Sequence, residues 1–145
     1  MYRKILVPLD GSEFAKKALE HAEGLAKTYG AEIILFQVTP FIPIYGPLEF
    51  VTPVVVDEEQ KEAAEMDLTK LAEEMKIRGH KVTSMVRTGP QVAAEIIDFA
   101  KGSGVDLIVM CTHGRSGITR WVLGSVAHKV LTRAETPILL IHLKK

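Results

Sequence analysis

VDLIVMCTHGRSGITRWVLGS, residues Val105 to Ser125, decides how this chain reads. Val105 to Met110 is apolar apart from Asp106 and predicts a buried strand. A small, polar turn follows, Thr112-His113-Gly114-Arg115-Ser116-Gly117, and then Gly124-Ser125 opens a helical segment. A buried strand that runs through a glycine-bearing loop into a helix start is an α/β arrangement suited to phosphate. Glycines let the backbone approach an anion, the first N–H groups of the helix donate to it, and the helix dipole favours negative charge there.

Working outward, apolar runs alternate with helical periods. Ile5 to Leu9 reads as a strand. Ser12 is placed to cap a helix whose apolar positions run from Phe14 through Ala15, Ala18, Leu19, Ala22, Leu25 and Ala26 to Tyr29, with Gly30 as its stop. Ile33 to Val38 is a second strand. Asp57 to Arg78 is a long helix opened by Asp57 and Gln60 in a capping-box spacing, with Ala64, Leu68, Leu71, Ala72 and Met75 as its inner stripe. Val82 to Arg87 is a weaker, partly alternating strand expected near a sheet edge. Gly89-Pro90 predicts a helix with proline at its first position, Val92, Ala93, Ile96, Ile97 and Ala100 on its apolar face and Gly102-Ser103-Gly104 at its end. Ser125 to Arg133 is the fourth helix, with a helical turn expected over Ile118 to Leu123. Ile138 to Leu143 is the fifth strand. Pro40 to Val56 is irregular, with four of the chain's seven prolines (Pro40, Pro43, Pro47, Pro53) and the aromatics Phe41, Tyr45 and Phe50. A loop of that length is commonly a lid or a binding loop.

The order β-α-β-α-β-α-β-α-β, without repeat or linker, predicts one α/β domain over residues 1–145. Its expected form is an open, doubly wound, Rossmann-like sheet, five-stranded and parallel, with helices on both faces. Ligands of such sheets sit beyond the carboxyl ends of the strands, where the strand order reverses. That rule selects Asp10, Gly11 and Ser12 after the first strand, Val38 and Thr39 after the second, and Cys111 to Gly117 after the fourth. Gly114, Arg115, Ser116 and Gly117 offer backbone N–H groups and a guanidinium to phosphates, and Gly124-Ser125 a second set of donors. Asp10 suits a ribose hydroxyl or a metal held through water, and the main chain near Val38 suits an adenine edge.

Composition narrows the classes. Lys plus Arg and Asp plus Glu are 18 each, so no basic field exists to attract nucleic acid or an anionic membrane. The single cysteine, Cys111, excludes an internal disulfide and suits a reducing cytoplasm. The opening MYRKILVPLDGSE meets a proline and an acid too early for a signal peptide, and no apolar run approaches the roughly 20 residues of a membrane span. A P-loop, a G-x-G-x-x-G turn, a G-x-S-x-G elbow and zinc-type spacing of the five histidines are all missing. The Arg3-Lys4 pair ahead of the first strand stands where a response regulator needs acids. Asp10 and His113 are the only candidates for hydrolytic chemistry and do not form a committed acid–base pair, so no catalytic residue is assigned.

Across essentially its whole length the sequence resembles the universal stress protein family. Lys4-Ile5-Leu6-Val7-Pro8 followed by Asp10-Gly11-Ser12 is similar to the family's opening, and Thr112 to Gly117, Leu123-Gly124-Ser125-Val126 and Thr136-Pro137-Ile138 to its close. The ATP-binding branch of the family carries a glycine, two residues, a second glycine, nine residues and then Gly-Ser or Gly-Thr. Here the second glycine is Gly114, the spacer is Arg115 to Leu123 and the pair is Gly124-Ser125, while Cys111 stands in the first glycine's place. A thiol there either crowds the ribose and phosphates or points away. The resemblance implies strand order 3-2-1-4-5, as in adenine nucleotide alpha hydrolase-like folds. It implies an ATP site, with Mg2+ accompanying the nucleotide, built from Pro8, Leu9, Asp10, Ser12 and Val38 on the first half. The second half contributes Met110, Cys111, His113, Gly114, Arg115, Ser116, Gly117, Gly124, Ser125 and Val126. It further implies a homodimer formed through Ile138 to Leu143 (ILLIHL), an unnamed protein partner, a stress or signalling role, and at most slow ATP hydrolysis.

Overall fold

The alternation of apolar runs and helical periods becomes a five-stranded parallel sheet in the computed structural model, which describes residues 1–41, 56–113 and 123–142. Strands β1 (Lys4–Leu9), β2 (Glu32–Pro40), β3 (Lys81–Gly89), β4 (Leu107–Cys111) and β5 (Ile138–Ile141) alternate with helices α1 (Glu13–Tyr29), α2 (Glu58–Ile77), α3 (Val92–Gly102) and α4 (Ser125–Arg133). The strand order is β3-β2-β1-β4-β5. The expected fold class and order are both observed, with β3 at one edge.

Period-two alternation divides the strands between two cores. Ile5, Val7 and Leu9 of β1, Ile33 and Leu35 of β2, and Leu107, Val109 and Cys111 of β4 pack under α1 and α2. Leu6, Ile34, Phe36, Val38, Ile108 and Met110 pack with α3 and α4. Right-handed crossovers account for this division. The chain steps β1 to β2 to β3 in one direction, which puts α1 and α2 on one face. It then returns across the sheet to β4 and β5, which puts α3 and α4 on the other.

Local signals set most helix ends. Ser12 Oγ accepts from Ala15 N at 3.2 Å and caps α1, and Gly30, left-handed at φ 68°, ends it. Asp57 Oδ1 accepts from Gln60 N at 3.1 Å and caps α2. Other expectations are corrected. Pro90 is not the first residue of α3, because Gln91 is its N-cap and Val92 begins it. β4 starts at Leu107 rather than Val105; just before it, Asp106 donates its N–H to Lys4 O while its carboxylate accepts from the backbone N–H groups of Arg3 and Lys4. Phe14 and Tyr29 are exposed rather than on α1's inner face, Tyr29 meeting Tyr2 edge to face. Phe99 is the large side chain that α3 buries, stacked on Phe36 with centroids 4.6 Å apart. Of the irregular segment expected over Pro40 to Val56, Pro40 instead ends β2, and residues 42–55 lie outside the described residues, as does the turn expected over Ile118 to Leu123 save Leu123 itself.

Phe36 is fully buried and links β2 to α3 through Phe99. Phe36→Ala is expected to lower the unfolding free energy by about 3–5 kcal/mol, read from urea denaturation as a lower midpoint at similar slope.

Candidate functional site

The sheet opens where the direction of winding reverses. β1 pairs with β2 from Lys4↔Glu32 to Leu9↔Gln37, but with β4 only at Ile5↔Leu107 and Leu6↔Ile108. Even residues of β1 turn their backbone groups toward β4, as Lys4 O shows by accepting from Asp106 N at 3.1 Å. Odd residues turn toward β2, as Arg3 O does toward Glu32 N at 2.9 Å. Pro8 therefore stands where the next donor toward β4 is due, and proline has no N–H. Beyond Leu6 the two strands are free to part. A cleft of about 220 Å³ lies there, lined by Pro8, Leu9, Asp10, Met110, Cys111, Thr112, His113 and the first turn of α4.

Three polar features meet in this cleft. Asp10 lines it while its Oδ1 accepts from Ser12 N at 2.9 Å and from Ser12 Oγ, closing a turn over Gly11, which is left-handed at φ 83°. The second feature is the start of α4. Its N-cap, Gly124, offers no side-chain bond, and its first turn carries no acid, a combination no other described helix shows. The helical ladder begins with His128 N donating to Gly124 O at 2.8 Å. Gly124 N donates to Thr112 O at 2.8 Å, so the N–H groups of Ser125, Val126 and Ala127 are left without intrahelical acceptors beside the cleft. Gly124 has an ordinary φ of −58°, and space is what it supplies: a Cβ there would lie 2.9 Å from Thr112 O. The third feature is His113. Its Nδ1 is 3.1 Å from Thr112 Oγ1, while its buried Nε2 has no partner among the described residues. An unpaired buried polar atom is costly, so this nitrogen calls for a partner beyond the described residues.

Cys111 ends β4 facing α1. Its thiol donates to Phe14 O at 3.1 Å and the side chain is buried in the core beneath that helix. Burial pushes the thiol pKa up, and the nearby Asp10 carboxylate adds to the effect. The thiol is thus neutral around pH 7.

Nine of the residues selected from the sequence line this cleft: Pro8, Leu9, Asp10, Met110, Cys111, His113, Gly124, Ser125 and Val126. Ser12 caps α1 and lines a neighbouring groove instead. Val38 is buried in the α3/α4 core near the end of β2. Gly114, Arg115, Ser116 and Gly117 lie outside the described residues, as do Arg120 and Trp121. Sequence reasoning missed Val92 and Ile96, which line the cleft from the first turns of α3. Their i, i+4 spacing marks an apolar face but does not reveal that its end reaches a ligand cleft. Among the described residues no group of acids, histidines and cysteine is arranged to hold a metal, and no helix is long and apolar enough to cross a membrane.

Comparison with known proteins places this geometry in context. The profile of the Universal stress protein family matches residues 1–142. A universal stress protein of Methanocaldococcus jannaschii is 38% identical, the match covering 97% of this chain and 82% of the relative. The fold is shared with a universal stress protein in complex with cAMP (TM-score 0.70, 22% identity, 97% of each chain). It is shared too with the universal stress protein from Archaeoglobus fulgidus in complex with dAMP (TM-score 0.65, 23% identity, 96% of this chain and 97% of that one).

Two outcomes follow from the geometry. Gly124→Ala, which drives a methyl against Thr112 O, is expected to cost roughly 1–3 kcal/mol in urea unfolding, as overpacking does. Iodoacetamide is expected to alkylate Cys111 of the folded protein far more slowly at pH 8 than in the unfolded chain. The gap should persist as pH rises past the ordinary thiol value of 9.0, because the raised folded pKa keeps the thiol protonated there. By the same linkage, the thiol's share of stability is complete below that value and is lost as pH climbs through the folded pKa.

Proposed function

The chain belongs to the universal stress protein family, and from that premise we propose that it binds an adenine nucleotide, ATP with Mg2+, in the cleft between β1 and β4. The observation that carries this reading is the open start of α4. The N–H groups of Ser125, Val126 and Ala127 border the cleft with no side-chain cap and no first-turn acid. Such a helix start favours a phosphate. Gly124 lets the start of α4 pack closely on the Thr112 backbone beside the cleft, and His113 Nε2 is a further buried group without a partner among the described residues. The relatives in complex with cAMP and dAMP support the choice of an adenine nucleotide.

In this reading the phosphates lie along the first turn of α4 and the Gly114 to Gly117 segment, where Arg115 adds a guanidinium. Asp10 takes a ribose hydroxyl, Pro8, Leu9 and Met110 form the apolar side, and the main chain near Val38 meets the adenine edge. Mg2+ travels with the phosphates and neutralises part of their charge. The thiol of Cys111 is turned toward α1, which supports a nucleotide site that tolerates this departure from the family pattern. The protein then acts as a nucleotide-dependent regulator, with at most slow hydrolysis, in which bound and free states present different surfaces to a partner. A homodimer through Ile138 to Leu143 fits the half-buried outer strand β5, which pairs only with β4 among the described residues.

A second reading, a nucleotide-free dimeric scaffold, is favoured by one observation: a cysteine occupies the motif's first glycine position. Calorimetry with Mg2+-ATP on wild type and Cys111→Gly separates the two. The nucleotide reading expects micromolar binding by wild type, with the variant within about threefold, roughly 0.7 kcal/mol. Binding by the glycine variant alone would establish the scaffold.

A further inference from the structure

A second recess lies on the other side of the Asp10–Gly11–Ser12 turn. It is a groove of about 370 Å³ between α1 and α2, at the carboxyl end of the sheet. Its floor is unusual. Ile33 and Leu35, the preceding odd residues of β2, are fully buried under these helices, and the alternation brings Gln37 to the same face. Gln37 is only 8% exposed, lines the groove, and its carboxamide has no hydrogen-bond partner among the described residues. A carboxamide offers a donor and an acceptor side by side, and in the groove both are left to water, which a ligand with the complementary pair can replace. Leu68 and Leu71 of α2 form an apolar wall. The rim carries three carboxylates, Glu13, Asp67 and Glu74, against two ammonium groups, Lys16 and Lys70. Lys16 bonds Glu13 at 2.8 Å, and that bond, aided by the fields of Glu13, Asp67 and Glu74, holds its pKa above the ordinary value. The rim therefore favours a further positive charge.

We propose that this groove binds a small organic cation carrying a carboxamide, the chemistry of an amino-acid amide. The ligand's amide pairs edge to edge with the Gln37 carboxamide, its aliphatic part lies against Leu68 and Leu71, and its ammonium sits among the rim carboxylates. The site is separate from the cleft between β1 and β4 and does not depend on what that cleft holds.

The test is a titration of the full chain with L-leucinamide, followed by 1H–15N NMR at the side-chain amide of Gln37 and the backbone amides of Lys16 and Leu68. Saturable shifts at these positions are expected. Gln37→Leu should weaken binding at least about tenfold, the scale of one lost buried hydrogen-bonding partner. Asp67→Asn, an exposed change that leaves the core untouched, should weaken it several-fold, as should replacing the probe by uncharged N-acetyl-leucinamide. The proposal is overturned by linear, non-saturating shifts in wild type, by shifts centred on Gly124 to Ala127 instead, or by equal affinity in wild type and Asp67→Asn. Because the last comparison uses a rim residue, it decides the matter even if Gln37→Leu does not fold.

Discussion

The handedness of the crossovers governs this molecule. Each β-α-β connection turns right-handed, so a chain that winds outward from β1 and then returns past it must place its helices on opposite faces. β1 is left at the centre with one neighbour from each direction of winding. The loops leaving β1 and β4 depart to opposite sides of the sheet, and a crevice opens between them. Pro8 reinforces the opening, because its missing N–H falls on the side of β1 that faces β4. Topology sets where the cleft lies, and one residue's covalent chemistry helps to keep the strands from closing it.

Helix capping distributes polar capacity around that crevice. α1 and α2 satisfy their own first turns through Ser12 and Asp57, with acids beside each dipole. α4 does neither, and its donors border the cleft. The same economy of contact shapes the other side of the Asp10–Gly11–Ser12 turn, where β2, apolar toward α1 and α2 through Ile33 and Leu35, presents in Gln37 an amide with no partner among the described residues. Both recesses follow from placing polar groups at the carboxyl ends of strands, where the sheet no longer supplies partners.

Much of this was legible in the chain. The five strands and four helices follow from apolar runs and helical spacing, and Ser12, Gly30 and Asp57 mark helix ends by chemistry that acts within a few residues. The errors are local. Phe14 is expected on α1's inner face, yet it is exposed, and in that first turn its neighbour Ala15 is the residue that packs on the sheet. Phe99 falls on the same helical stripe, seven residues after Val92 and three after Ile96, so spacing alone marks it as inward-facing; that it stacks on Phe36, across 63 residues of sequence, only the fold decides. Asp106 looks like an interruption of a strand, whereas it ties that strand's start to Arg3 and Lys4.

The candidate site divides the same way. Sequence by itself determined that an acid follows β1 and that a cysteine and a histidine follow β4, because the residues after each apolar run are properties of the chain, whereas the neighbouring of those two strands was implied only by the family resemblance. It also determined that Gly124-Ser125 opens a helix. Only the tertiary structure decided that the Cys111 thiol turns toward Phe14 O, that a Cβ at Gly124 would strike Thr112 O, and that His113 Nε2 and the Gln37 amide have no partner among the described residues. Those outcomes depend on which element packs opposite each side chain, and burial against a distant partner leaves no trace in local periodicity.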